Sequence, residues 1–331
     1  MAFVPHCKIR IGGYTFTGVN DISIVRSIYS LAHTCTLKLP ASAVMKNSTS
    51  GSTAISTADL IKKGDEVSVE LNYENYPVIK SFKGFVTGIN HAQPLEIECE
   101  NEAYLLKKKN IHQSFYKINA VDLITRVLQG TGIQLSPETK KENLKLTIDQ
   151  MQVDHQTAAW VLQELKDKYA VHSYFTATGE LYAGLEHGQK GAKVKYDLHK
   201  NVIKTDNLKW QNPEDIKILV KTVCHKSDGS TVEAEYGDED GEVKTISVYD
   251  VTDKKQLQSI ARTEHAKYHQ AGFKGDIETL LHPEVSHADI AVIRDSVYPE
   301  RSGDYFVHTV TTTFGTGGCR QKVEIDLKLT A

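Results

Sequence analysis

The chain has 331 residues, a formal net charge of −3, and 40% hydrophobic against 24% charged residues. That length exceeds what one small core needs and implies two or three domains. The near-neutral balance gives no global pull toward nucleic acid or an anionic membrane, and no stretch nears the roughly 18 apolar residues of a membrane span.

Met1 to Gly13 carries a strand-like run and lacks the apolar centre of a secretory signal. The five cysteines (Cys7, Cys35, Cys99, Cys224 and Cys319) are odd in number, widely spaced and without a CxxC pair. Reduced thiols on strands, in a protein made and assembled in a cytoplasm, are the expectation.

The first hundred residues read as β. Cys7–Ile11, Tyr14–Phe16, Asp21–Ser27, Thr34–Leu39, Glu66–Leu71, Phe82–Ile89 and Leu95–Glu100 alternate with period two or are rich in β-branched residues. Gly12-Gly13 marks a hairpin between the first two runs. Ala41–Lys63, with Lys46-Asn-Ser-Thr-Ser-Gly-Ser-Thr53 at its centre, is small and polar and reads as a long mobile loop.

The pattern changes after Glu102. Asn119–Gly130 spaces Val121, Ile124, Val127 and Leu128 as on a helix, with Gly130 and Gly132 as stops. Asp154–Tyr169 is a second helix, with Asp154 as N-cap and Ala158, Val161, Leu162 and Leu165 as its apolar stripe. His172–Phe175 and Leu181–Leu185 then form a hairpin around Thr178-Gly179.

From about Lys193 the chain returns to β. Val194–Tyr196, Val202–Trp210, Ile216–His225, Ser230–Tyr236 and Val243–Val248 are strands, with Ser227-Asp-Gly229 as a hairpin turn and Gly237-Asp-Glu-Asp-Gly241 as an acidic loop. Lys254–Gln270 is a helix; Phe273–Leu281, Ile290–Arg294, Asp304–Phe314 and Arg320–Leu329 complete a second β block. The two β blocks share an order. Glu66–Leu71, Phe82–Ile89 and Leu95–Cys99 in the first match Ile290–Arg294, Gly303–Val310 and Lys322–Leu329 in the second, which points to a duplication.

Chemistry-bearing motifs are sparse. His265 and His269 stand at i, i+4 on a predicted helix and could offer two nitrogens to one zinc. An HExxH motif needs Glu at position 266, however, and this chain has Ala. His282 and His287 are third-ligand candidates without supporting spacing, and two solvated histidines on an amphipathic helix are the simpler reading. No GxSxG elbow or cysteine-protease context occurs. Asp238-Glu-Asp240 lacks the twelve-residue calcium loop and reads as a charged hairpin tip. Lys107-Lys108-Lys109 beside Tyr104, Phe115 and Tyr116 has the form of a basic-aromatic patch, but one triplet in an acidic chain reads better as a solvated turn. Two alternatives to a structural protein follow. One is a metal-dependent hydrolase using His265 and His269. The other is a carbohydrate-binding β module using Tyr104, Tyr174, Tyr182 and Trp210, with aromatic content of only 8% against it.

The ordered succession of motifs carries a resemblance. Gly64-Asp-Glu-Val-Ser-Val69 followed by Phe82-Lys-Gly-Phe-Val-Thr-Gly-Ile89 looks like the first barrel of the phage late control D family of contractile-tail baseplate hubs. That family is itself similar to the N-terminal hub part of type VI secretion spike proteins. Asp154–Leu185, with Thr157, Trp160, Leu162, Leu165, Tyr169 and the Gly179-Glu-Leu-Tyr182 turn, looks like its insertion. Tyr298-Pro-Glu-Arg-Ser-Gly-Asp-Tyr305 through Phe314 looks like the closing strands of its second barrel.

The resemblance, over roughly residues 5 to 329, implies a mainly β (β+α) fold. Two similar tube-type β-barrel domains, 1–102 and 191–331, flank a small α/β insertion at 103–190. It further implies a non-enzymatic structural hub without cofactor or metal, found in the tail of a virion or phage-like particle. By the same resemblance, a homotrimer of this chain is expected to make a pseudo-sixfold ring between a hexameric tail tube protein and a trimeric spike, beside other baseplate proteins and without nucleic acid binding or membrane insertion. The end at Ala331 implies a hub that receives a separate spike protein. Phe85, Val86 and Ile89 on one closing strand, Tyr305, Val307 and Val310 on the other, and the Ser/Thr loop are the expected interface elements.

Overall fold

The computed structural model describes residues 4–46, 52–140, 144–189, 191–249 and 251–329. It is mainly β, with 50% strand and 17% helix. The first block contains β1 (Pro5–Ile11), β2 (Tyr14–Phe16), β3 (Asp21–Ser27), β4 (Thr34–Leu39), β5 (Ser42–Lys46), β6 (Ser52–Ser56), the single-turn α1 (Thr57–Leu60), β7 (Glu66–Tyr73), β8 (Ile79–Asn90) and β9 (Leu95–Glu100). The middle holds α2 (Ala103–Lys108), β10 (Asn110–Asn119), α3 (Ala120–Leu128), β11 (Thr147–Thr157), α4 (Ala158–Tyr169), β12 (His172–Phe175) and β13 (Leu181–Gly184). The last block holds β14 (Lys193–Asp197), β15 (Val202–Lys204), β16 (Lys209–Gln211), β17 (Ile218–His225), β18 (Thr231–Gly237), β19 (Glu242–Val248), α5 (Lys254–Tyr268), β20 (Gly272–Leu280), β21 (Ile290–Arg294), β22 (Gly303–Gly315) and β23 (Gly318–Leu329).

The two blocks repeat each other in pairing as well as in order. In the first, neighbours run β3–β4–β9–β8–β7–β1; in the second, β15 and β16 both pair β20, followed by β23–β22–β21–β14. Each strand of one series has a counterpart at the same place in the other, taken in the same chain order. The one departure in direction is that β14 runs parallel to β21, whereas β1 runs antiparallel to β7. The two series join where β22 pairs β3, so a single long sheet runs through both. Among the described residues its pairings trace an open path, not a closed ring.

Each series has its own core. Alternation puts Val67, Val69, Leu71 and Tyr73 of β7 inward, against Ile9 and Ile11 of β1, Ile22 and Ile24 of β3 and Ile97 of β9. Val194, Tyr196, Ile277, Ile293, Tyr305, Val307, Val323 and Ile325 form the second core. Full burial of each such side chain contributes about 1.5–3 kcal/mol before chain entropy is counted. Gly84 shows how closely β8 approaches its neighbour: a Cβ there would lie 2.1 Å from the Glu100 carbonyl oxygen. The middle segment has a third core, in which α3 and α4 pack with Phe115, Ile148, Val153 and Phe175.

Several elements differ from the sequence expectation. Ala41–Lys63 is not a structureless loop: β5 and β6 pair as an antiparallel ribbon and α1 follows, although 47–51 lie outside the described residues. Asp154 is not a helix cap, because β11 continues to Thr157, whose side chain accepts from the Trp160 amide at 3.1 Å. Val202–Trp210 is interrupted, and α5 ends at Tyr268. β17, β18 and β19 leave the long sheet to form their own three-stranded sheet under α5. Within it β19 runs parallel to β17, on the side away from β18, so Asp238–Asp240 is a crossover loop and not a hairpin tip.

The three cores meet at a polar junction. Asn101 accepts from the His33 and Ala103 amides at 3.2 and 3.3 Å, tying β9 to the start of the middle segment. The buried rings of His33 and His287 lie edge to face at 4.5 Å. His287 donates Nε2–H to the Phe175 carbonyl at 2.6 Å. Desolvation lowers both imidazoles, His33 well below its ordinary value and His287 to about 4, with Arg26 adding to the effect. The unfolded chain takes up these protons near pH 6.5 and the folded chain does not, so stability present above that pH is lost as the pH falls. Urea unfolding is expected to show His287 alone removing about 1.4 kcal/mol per pH unit between pH 6.5 and its folded value. A stability that is flat from pH 7 to 5, in the wild type as in His287→Gln, would count against this.

Candidate assembly interface

The two series meet along a single seam between β3 and β22. Thr309↔Ser27 through Phe314↔Ile22 pair antiparallel. The ladder is extended by a 3.0 Å bond from the Ile28 amide to the His308 carbonyl. The hydroxyls of Ser27 and Thr309 hydrogen-bond across it at 2.8 Å. Ile28, Tyr174, Tyr182, Ala288 and Phe306 pack beside it, so hairpin β12–β13 rests on the seam.

Arg26 ties the seam to β8. The β7–β8 register shifts between Val69 and Glu70, leaving Ser81 outside the ladder, and the Ser81 carbonyl accepts from the Arg26 guanidinium. A bulge that would otherwise strand a buried acceptor is thereby satisfied. Desolvation lowers the Arg26 pKa while Glu284 and Asp289 oppose it, so this cation sits in a dry site with carboxylates nearby. Gln321 performs a similar task on β23, its two Nε2 hydrogens shared among the carbonyls of Leu280, Leu281 and Pro283 at 2.9, 2.7 and 3.0 Å.

The expected interface residues divide in two. Val86, Tyr305, Val307 and Val310 are buried in the cores, at 0–1% exposure, and hold their strands in place from inside. Phe85 and Ile89 are half-buried, and Phe85 stacks on Tyr104 with ring centroids 5.2 Å apart. Backbone edges are a separate matter. β22 is paired along both sides, by β23 on one and by β21 and then β3 on the other. β8 is covered by β7 only from Ile79 to Phe85, and from Thr87 to Asn90 no described strand pairs that edge. The outer edges of β15 and β16 are likewise unpaired among the described residues, and Ile203 on β15 is 42% exposed.

The other sequence candidates do not converge on a site. His265 and His269 stack at 5.3 Å, but no third donor joins them among the described residues. His282 stacks on Tyr76, and His287 belongs to the junction. Tyr174 and Tyr182 are buried against each other, at 4.8 Å, and present no platform to a sugar. The lysine triplet is engaged internally. Lys107 pairs with Glu100 at 2.7 Å, Lys108 lies 4.4 Å over the Tyr104 ring, and Lys109 donates to the Val127 carbonyl at the end of α3 at 2.8 Å. Sequence reasoning passed over Arg26, Asn101 and Gln321, since no motif announces a buried polar side chain whose partners are carbonyls from distant strands.

The fold is similar to those of several bacteriophage tail and type VI secretion proteins. It resembles the 43 kDa tail protein of prophage MuSo2 from Shewanella oneidensis, at 14% identity and TM-score 0.61, over 97% of this chain and 99% of that one. A tail protein from Neisseria meningitidis MC58 gives 10% identity, TM-score 0.58 and 98% and 96% coverage. An E. coli component of the type VI secretion system, described as structurally similar to T4 bacteriophage tail proteins gp27 and gp5, gives 10% identity and TM-score 0.56, over 98% of this chain and 77% of that one. No protein-family model and no curated protein sequence matches the chain.

Arg26→Leu is expected to leave the Ser81 carbonyl unpaired and to strip the nearby carboxylates of their cation. A loss of about 2–4 kcal/mol in urea unfolding follows; a change within about 0.5 kcal/mol would show that Arg26 does not bind the seam to β8.

Proposed function

We propose that the chain is a structural hub of a contractile-tail baseplate or related injection particle, a component without catalytic function. On this reading residues 1–102 and 191–331 are two tube-type β-barrels around the 103–190 insertion. Three copies form a pseudo-sixfold ring that stacks on a hexameric tail tube and holds a separate trimeric spike beside other baseplate proteins. The particle is assembled in the bacterial cytoplasm, and the chain resides in the virion or particle tail.

The observation that carries the proposal is the repeat together with its one unmatched contact. Inside the chain, β22 of the second series pairs β3 of the first. The counterpart of β22 is β8, and the counterparts of β3 are β15 and β16. The equivalent contact thus joins Thr87–Asn90 of one copy to β15 and β16 of the next, and these are edges without a described partner. Repeating it around three copies gives six alternating seams and closes the ring, which removes edges that otherwise invite aggregation. Phe85 and Ile89 flank the new seam, while Val86, Tyr305, Val307 and Val310 stiffen the strands behind it. Support for the barrel reading comes from the cores: β3 and β1, at opposite ends of the first series, bury residues in one cluster.

Mass photometry of the purified chain, alone and with its tube and spike proteins, is expected to give a three-chain species. Ile203→Lys, an exposed edge substitution that spares both cores, weakens that association by about tenfold or more through charge on the pairing edge. A chain that stays monomeric and binds neither partner overturns the proposal.

A further inference from the structure

On the β10–β11 ribbon, far in sequence from the pair of histidines that first invites a metal, three other donors come together. The strands are in register at Ile111↔Gln156 and again at Gln113↔Val153, so His112 alone faces both Asp154 and His155. Consecutive strand residues normally point to opposite sheet faces. Here they do not: the bulge and a left-handed φ of 50° at His155 turn its side chain to the side of Asp154, and residues 154, 155 and 156 are all exposed. A conformation that favours glycine is held by histidine, at the one point where its ring meets two other donors.

The geometry suits a metal. His112 Nδ1 lies 2.9 Å and His155 Nε2 3.7 Å from Asp154 Oδ1, and the three donor atoms all lie within 4.8 Å of one another. Tetrahedral zinc, with bonds of about 2.0–2.1 Å, holds its ligand atoms roughly 3.3 Å apart. The imidazole rings stack, with centroids 4.4 Å apart and planes 15° from parallel, and rotation of one of these exposed rings brings both in-plane nitrogen lone pairs onto one ion. Among the described residues this is the one group of three or more such donors close enough to hold an ion.

We propose that His112, Asp154 and His155 form a surface site for a first-row divalent transition metal of the zinc class. Two imidazoles and one carboxylate favour zinc, cobalt, nickel or copper over magnesium or calcium, which prefer oxygen ligands. Three protein ligands leave at least one coordination position open. The side chains are 69%, 69% and 78% exposed, so that position faces outward and can take water or a donor from another molecule.

Isothermal titration of the full chain with zinc chloride tests the site. Wild type is expected to bind one zinc equivalent that His112→Ala, Asp154→Asn and His155→Gly each bind at least tenfold more weakly, while a His265→Ala/His269→Ala double variant retains it. Cobalt substitution gives the visible absorption of a low-symmetry nitrogen-oxygen site in wild type and loses it in the three variants. His155→Gly guards against simple misfolding, because glycine adopts the left-handed conformation freely: zinc raises the melting temperature of wild type and leaves that of this variant unchanged. Equal zinc stoichiometry and affinity in wild type and the three variants overturns the proposal, as does loss of the equivalent in the His265/His269 variant alone.

Discussion

A strand at the end of a sheet carries a row of unpaired amides and carbonyls, and water or another strand must satisfy them. The β3–β22 ladder is where this chain meets that demand from within. It turns two sheet series into one and fixes their relative orientation through the register from Thr309↔Ser27 to Phe314↔Ile22. Arg26 then carries the constraint from the seam to the bulge at Ser81, which ties the seam to β8.

The other parts hang from that joint. Each segment has a main hydrophobic cluster of its own, and a small shared one, Ile28 with Tyr174, Tyr182, Ala288 and Phe306, joins all three at the seam. A few satisfied polar groups in a dry place add direction to that shared cluster: Asn101 on the His33 and Ala103 amides, and His287 on the Phe175 carbonyl. Such bonds add modest net stability but are costly to break, and so they select one arrangement among many that would bury similar area.

How much of this was legible in the sequence depended on regular alternation. β7 and β9 bury every second residue and β8 does so apart from its bulge at Ser81, and the order they share with the second block could be read directly. β10 and β11 could not be read as strands: their inward residues are Ile111, Phe115 and Ile118, and Ile148, Met151 and Val153, and bulges break the period of two. For the same reason Asp154 looked like a helix cap. The β5–β6 ribbon was hidden because it pairs only with itself. The seam was out of reach as well, since which edge of a strand stays free is a property of the whole sheet, as is the meeting of His112 with His155.

The two series are alike in some places and unlike in others, and the division has a physical sense. They agree in the order and direction of the strands that form the seam and its counterpart, which are the surfaces that would pair around a ring. They differ at the margins: β14 is parallel where β1 is antiparallel, and each series carries a different insertion. In the first, β5, β6 and α1 stand between β4 and β7; in the second, the β17–β19 sheet and α5 stand between β16 and β20. A ring built from copies of one contact needs the first kind of likeness, because register mismatch at any seam would open it. A ring that is sixfold to one neighbour and threefold to another needs the second kind of difference, placed away from the seams. Likeness in the seam-forming strands with difference at the margins would meet both demands within one chain.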